Sequence, residues 1–148
     1  MGNVWCERGE DFWSRLKGRF KDPLTIRARK MTLLRGAQRS IYEGMVQVVQ
    51  KQYRLRCDRL EMLWDEESKR IIKILASGNV VMEFKDGKVT SEEASLDLIS
   101  RKIFLSGSPQ LIRGDERVSG YIIIHDLDGE KSTVLSGPGT RVRTQLRP

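Results

Sequence analysis

Apolar and polar residues alternate over most of this chain, and the alternation is clearest at Ile71–Phe84, I-I-K-I-L-A-S-G-N-V-V-M-E-F. Ile72, Ile74, Ala76, Gly78, Val80, Met82 and Phe84 share one face at period two, which predicts a strand with one buried side. Weaker versions recur around Gly44, Gly107 and Gly137. Through Gly78 the four glycines are spaced by 34, 29 and 30 residues. A self-similar period of that size predicts a repeat architecture.

Four segments begin alike: I-R-A-R-K-M-T-L from Ile26, L-R-C-D-R-L-E-M from Leu55, V-T-S-E-E-A-S-L from Val89 and V-S-G-Y-I-I-I-H from Val118. Apolar or small residues hold offsets zero, two, five and seven, and His125 breaks the last copy. The step of three is one residue too long for an unbroken strand. It predicts a β-bulge at pairs such as Asp58-Arg59 and Glu92-Glu93, and bulges in register make a corner along the stack. Turns are expected at Arg35-Gly36, Asp65–Ser68, Ser100-Arg101 and Asp128-Gly129, then at Gln50–Tyr53, Asp86-Gly87 and Gly114-Asp115 on the way back. Asp86-Gly87 and Asp128-Gly129 suit type I′ hairpins. The repeated glycines are expected to form a second corner on the return strands. The pattern predicts an all-β, repeat-built antiparallel fold: two facing sheets joined along bent edges, with an apolar interior between them.

Residues 1–24 do not follow the repeat. Glu10–Lys21 carries Phe12, Trp13, Leu16 and Phe20 at helical spacing, with acids near its start and bases near its end. A short amphipathic helix is expected there, ended by Pro23. Its readings are a cap over one end of the β stack or a helix that docks on a membrane surface or a partner. Residues 25–148 form the β domain.

Composition narrows the function classes. The net charge of +7 favours anionic partners. Nucleic acid is disfavoured, because exposed aromatics for base stacking are missing from the repeats, where Tyr121 stands nearly alone. Cys6 and Cys57 are too few and too far apart for a disulfide framework or zinc cluster. No apolar run reaches the roughly 18 residues of a membrane span, and no signal-peptide core opens the sequence. The chain is then either cytoplasmic or written without its leader. One histidine, with no nucleophile elbow or phosphate loop, argues against an enzyme. No metal or cofactor is expected.

The strand starts Ala28–Leu33 and Cys57–Met62 resemble those of the OstA-like (LptA) family of periplasmic lipopolysaccharide-transport proteins. So does the return motif A-S-G-N-V-V-M at Ala76–Met82, echoed by E-G-M-V-Q-V at Glu43–Val48 and L-S-G-S-P-Q-L at Leu105–Leu111. The resemblance covers about residues 25–146. It implies an all-β, repeat-built antiparallel β-jellyroll, open at its ends, that holds lipopolysaccharide acyl chains between its sheets in a periplasmic bridge without catalysis. Its partners would be lipopolysaccharide and other jellyroll proteins at the inner and outer membranes. Head-to-tail homo-oligomers would form by strand addition at Thr140–Leu146. The Trp- and Arg-rich start is outside the family pattern, so a membrane-anchored jellyroll of the same pathway stays open.

Acyl chains need a continuous apolar lining, since each buried methylene contributes about 0.8 kcal/mol. The candidate lining is the inner-face set Met31, Leu33, Val46, Val48, Leu60, Met62, Ile72, Ile74, Val80, Met82, Phe84, Leu96, Leu98, Ile103, Leu105 and Leu111. Arg27, Arg29, Lys30, Arg54, Arg56 and Arg59 are candidates for lipid phosphates, or equally for blocking edge aggregation. The alternative function is a structural β-repeat with a filled core that self-assembles end to end.

Overall fold

Four long strands bend in the middle, and the molecule is built on that bend. The computed structural model describes residues 24–50, 52–128 and 131–146; the helix expected over residues 10–21 lies outside them. The strands are β1 (Thr25–Arg27), β2 (Lys30–Leu34), β3 (Arg39–Gln50), β4 (Tyr53–Trp64), β5 (Ile71–Phe84) and β6 (Gly87–Asp97). The shorter β7 (Lys102–Ser106), β8 (Gln110–Arg113), β9 (Glu116–Ser119), β10 (Ile122–Asp126), β11 (Lys131–Leu135) and β12 (Arg143–Leu146) follow. A single 3-10 turn, Arg35–Ala37, interrupts the strands among the described residues.

All pairings are antiparallel and belong to one twelve-stranded, unclosed sheet folded along a crease into two arms. Strands β3 to β6 cross the crease. Arm I adds β1, β8, β9 and β12; arm II adds β2, β7, β10 and β11. The faces turned towards each other are apolar, which is the expected jellyroll with open ends. Leu60, Met62, Val80, Leu105 and Ile123 are fully or almost fully buried between the arms.

The step of three on the outward strands is visible in the burial. Asp58 and Arg59 are both exposed between buried Cys57 and Leu60, and Glu92 and Glu93 between buried Ser91 and Ala94. The extra unpaired residue, however, sits on the return strand. Between the pairs Ser77↔Glu93 and Val80↔Ser91, β5 spends one residue more than β6, and β3 does the same against β4 around Gly44-Met45. The expected two corners are therefore one. At Gly78 φ is +81°, Asn79 follows at +49°, and a Cβ on Gly78 would stand 2.8 Å from Asp58 Cβ. Gly44-Met45 and Gly107-Ser108 repeat this left-handed pair against Arg29 and Glu92. Two successive left-handed residues turn the chain sharply, and the first must be glycine because the outward strand passes against it. Asn79 Nδ2 then donates to Asp58 Oδ2 at 3.0 Å across the crease.

The far ends of the strands are closed by turns where polar residues cluster. Asp65 accepts from the Ser68 hydroxyl (2.8 Å) and backbone N–H (3.2 Å), and Asp97 from the N–H groups of Ser100 and Ile99. These bonds favour the charged carboxylates and hold both below the usual aspartate range. Asp86-Gly87 does not form the expected type I′ turn. Lys85 and Asp86 occupy the loop, Gly87 pairs with Phe84, and neither Asp86 nor Gly87 has positive φ. Gly87 is needed for a close approach instead, since a Cβ there would lie 2.4 Å from the Ile112 carbonyl oxygen. A second correction concerns the start of β5. The register slips between Leu63↔Lys73 and Trp64↔Ile71, so Ile71 is fully buried and Ile72 only partly.

Two outcomes follow from the crease. Gly78→Ala should destabilise the fold by about 1–3 kcal/mol through backbone strain and the clash with Asp58. Gly36→Ala, with nothing within 4 Å of its new Cβ, should stay within about 0.5 kcal/mol in the same urea titrations. The Cys57 thiol is buried beside the crease; burial, and secondarily Asp58, push its pKa up to about 12. It should resist a thiol reagent at pH 8 until the chain unfolds. The unfolded thiol ionises near pH 8.5 and the folded one much later, so this group's contribution to stability is intact below that pH and declines as pH rises towards 12.

Candidate functional site: an apolar cavity between the arms

The arms do not fill the space between them, and an apolar cavity of about 80 Å3 remains. Arm I supplies Val48, Leu55 and Met82, with Gln50 and Tyr53 at the β3–β4 hairpin. Arm II supplies Ile74, Ala76, Ala94, Leu96, Ile103 and Leu127, and Leu24 approaches from the chain start. Period-two alternation aims the strand residues inward, and the small side chains of Ala76 and Ala94 leave the room.

Three rings bridge the arms. The His125 ring on β10 stacks against Phe84 on β5 with centroids 5.6 Å apart, and meets Tyr53 on β4 edge-on at 6.1 Å. His125 Nδ1 lies 2.9 Å from the Ser132 hydroxyl on the neighbouring strand. The sequence places His125 where the repeat breaks; in the structure it keeps offset seven, faces inward and is buried. An imidazole hydrogen-bonded on its own arm is compatible with an interior position.

Of the sixteen candidate lining residues, Val48, Ile74, Met82, Leu96 and Ile103 border the cavity. Val46, Leu60, Met62, Val80, Leu98, Leu105 and Leu111 are buried in the surrounding core, and Met31 and Phe84 pack against it partly buried. Leu33 is 38% exposed on the edge strand β2, and the slip at Ile71 removes Ile72 from the inner row. The cavity residues absent from that set are Leu24, Gln50, Tyr53, Leu55, Ala76, Ala94 and Leu127. Leu55 and Ala94 hold repeat offsets zero and five, so the signal existed; Gln50 and Tyr53 read as turn residues and carried none.

What this arrangement can do is limited by its chemistry. Apolar walls bind by excluding water and impose no directional contact. Among the described residues, no three His, Cys, Asp or Glu side chains gather to hold a metal ion. No helix among them is long and apolar enough to cross a membrane.

The fold is similar to that of LptH from Pseudomonas aeruginosa, described as the LptA-homologous periplasmic component of the lipopolysaccharide transport device. The match has a TM-score of 0.74 at 15% identity and covers 86% of this chain and 97% of that one. At that identity the likeness is one of fold. No curated protein sequence matches the chain. The family described as "LptA/(LptD N-terminal domain) LPS transport protein" matches residues 25–131, well over half of the sequence and all the strands from β1 through most of β10's hairpin. The chain belongs to this LptA/LptD N-terminal domain family of lipopolysaccharide transport proteins.

Proposed function

We propose that the chain binds lipopolysaccharide acyl chains between its two arms and carries lipopolysaccharide across the periplasm towards the outer membrane. It does so without catalysis, as one member of a bridge with other jellyroll proteins at the inner and outer membranes. The observation that carries this reading is the cavity, with apolar walls from both arms of a sheet whose ends are open. Its size defines the mechanism. About 80 Å3 is roughly half the ~150 Å3 that admits a benzene ring in an apolar protein interior. A whole acyl chain therefore requires the arms to part. They part on the side where Tyr53, Phe84 and His125 meet, while the hydrogen-bonded crease holds the other side. The lost ring contacts are replaced by methylene contacts, each contributing about 0.8 kcal/mol. Edge strands β2 and β12, each paired on one side, are where head-to-tail copies would add.

A photo-crosslinking residue at Met82 or Phe84 should capture lipopolysaccharide, and one at Lys73, exposed on the outer face of the same strand, should not. Capture at neither inner position by a folded protein would transfer the assignment to a structural repeat with a filled core. Ala94→Leu narrows the cavity without touching the surface. It should weaken lipopolysaccharide binding several-fold while thermal stability changes little, because an added isobutyl group occupies existing space.

A further inference from the structure

The outer faces of the two arms differ in charge arrangement. On arm II, Lys73, Asp97, Lys102, Asp126 and Lys131 are direct cross-strand neighbours in that order, so signs alternate along the row. Alternating neighbours stabilise a sheet and leave little net field. Arm I has less compensation. Arg27, Arg54, Arg56, Lys88 and Arg117 occupy exposed positions that alternate with buried or half-buried ones, and Arg143 lies on the fully exposed edge strand β12. Cross-strand pairing sets them in two adjacent rows. One runs from Arg54 through Glu83 and Lys88 to Arg117, the other from Arg27 through Arg56 to Arg143.

Among the described residues one carboxylate shares this face: Glu83, which accepts from Arg56 Nη2 at 2.8 Å. Both side chains are well exposed, so that pair is screened. Arg54 and Lys88 are direct cross-strand neighbours of the same Glu83, so one carboxylate serves three cations. Arg27, Arg117 and Arg143 have no acidic cross-strand neighbour on the face. Eight strand segments at about 4.8 Å spacing spread them over roughly 34 Å. They do not converge on a pocket, which rules against a single small anion. The outward positions hold no Phe, Trp or Tyr, so bases would find nothing to stack on.

We propose that the outer face of arm I is a docking surface for an anionic phospholipid bilayer, distinct from the interior cavity. A laterally smeared negative surface matches cations dispersed over a sheet face, each Lys or Arg adding its own increment of attraction within a Debye length. Docked this way, arm I faces the membrane, and arm II remains exposed to solvent.

The test is co-sedimentation of the full chain with vesicles of pure phosphatidylcholine, or with about 30% phosphatidylglycerol added. Two triple variants of equal charge change are compared: Arg54→Gln/Lys88→Gln/Arg117→Gln on arm I, and Lys73→Gln/Lys102→Gln/Lys131→Gln on arm II. Circular dichroism and melting confirm that both fold. The parent should bind the anionic vesicles only, less so as salt rises. The arm I variant should lose at least about tenfold in partition coefficient and the arm II variant less than about twofold. Equal losses, or none in either, would assign binding to net charge or to residues 1–24 and overturn the proposal. So would a parent indifferent to anionic vesicles. Dependence on the arm I residues for lipopolysaccharide micelles but not for phosphatidylglycerol would assign the face to the cargo headgroup and overturn it as well.

Discussion

The crease is the constraint on which the rest of the structure depends. Three return strands each place a glycine and the next residue in the left-handed region, and each glycine lies against the first residue of an exposed pair on an outward strand. A flat antiparallel sheet of this length would have one wet and one dry face and nothing to cover the dry one. Folding the sheet at one line lets its dry face cover itself. Val46, Leu60 and Val80, beside the bends, are buried to near zero exposure, as are Met62, Leu105 and Ile123 further along the arms.

Packing between the arms is uneven. At the far end of arm II Ile71 and Leu98 are fully buried, and Tyr53, Phe84 and the His125 ring meet across the far side. Where Ala76 and Ala94 pair beside the crease, small side chains leave part of a cavity. The backbone of the bent strands stays fully paired on both sides of the crease, so separating the arms breaks side-chain contacts and few hydrogen bonds.

Much of this was legible in the sequence. The repeat of Gly44, Gly78 and Gly107 and the exposed pairs Asp58-Arg59 and Glu92-Glu93 are both bend signals. In the sequence they stand as two bends, because nothing local says that the glycine of one strand faces the exposed pair of another. His125 illustrates the same limit. As a polar residue at an apolar offset it breaks a pattern, and only a serine on the adjacent strand and two rings on the opposite arm make its burial sensible.

By itself the sequence determined the strands, their inner faces, the turns and the repeat, because these rest on period-two alternation and local backbone preference within a few residues. It also carried the motifs by which the family is recognised. Tertiary structure decided which strand bears the unpaired residue at the crease, that Ile71 and not Ile72 points inward, and that Gly87 serves a close contact with β8 in place of a tight turn. It also decided where a cavity survives between the arms and which arm gathers the uncompensated cations. Each of these depends on the register between strands distant in the chain. A one-residue slip leaves every local pattern intact while exchanging all the neighbours.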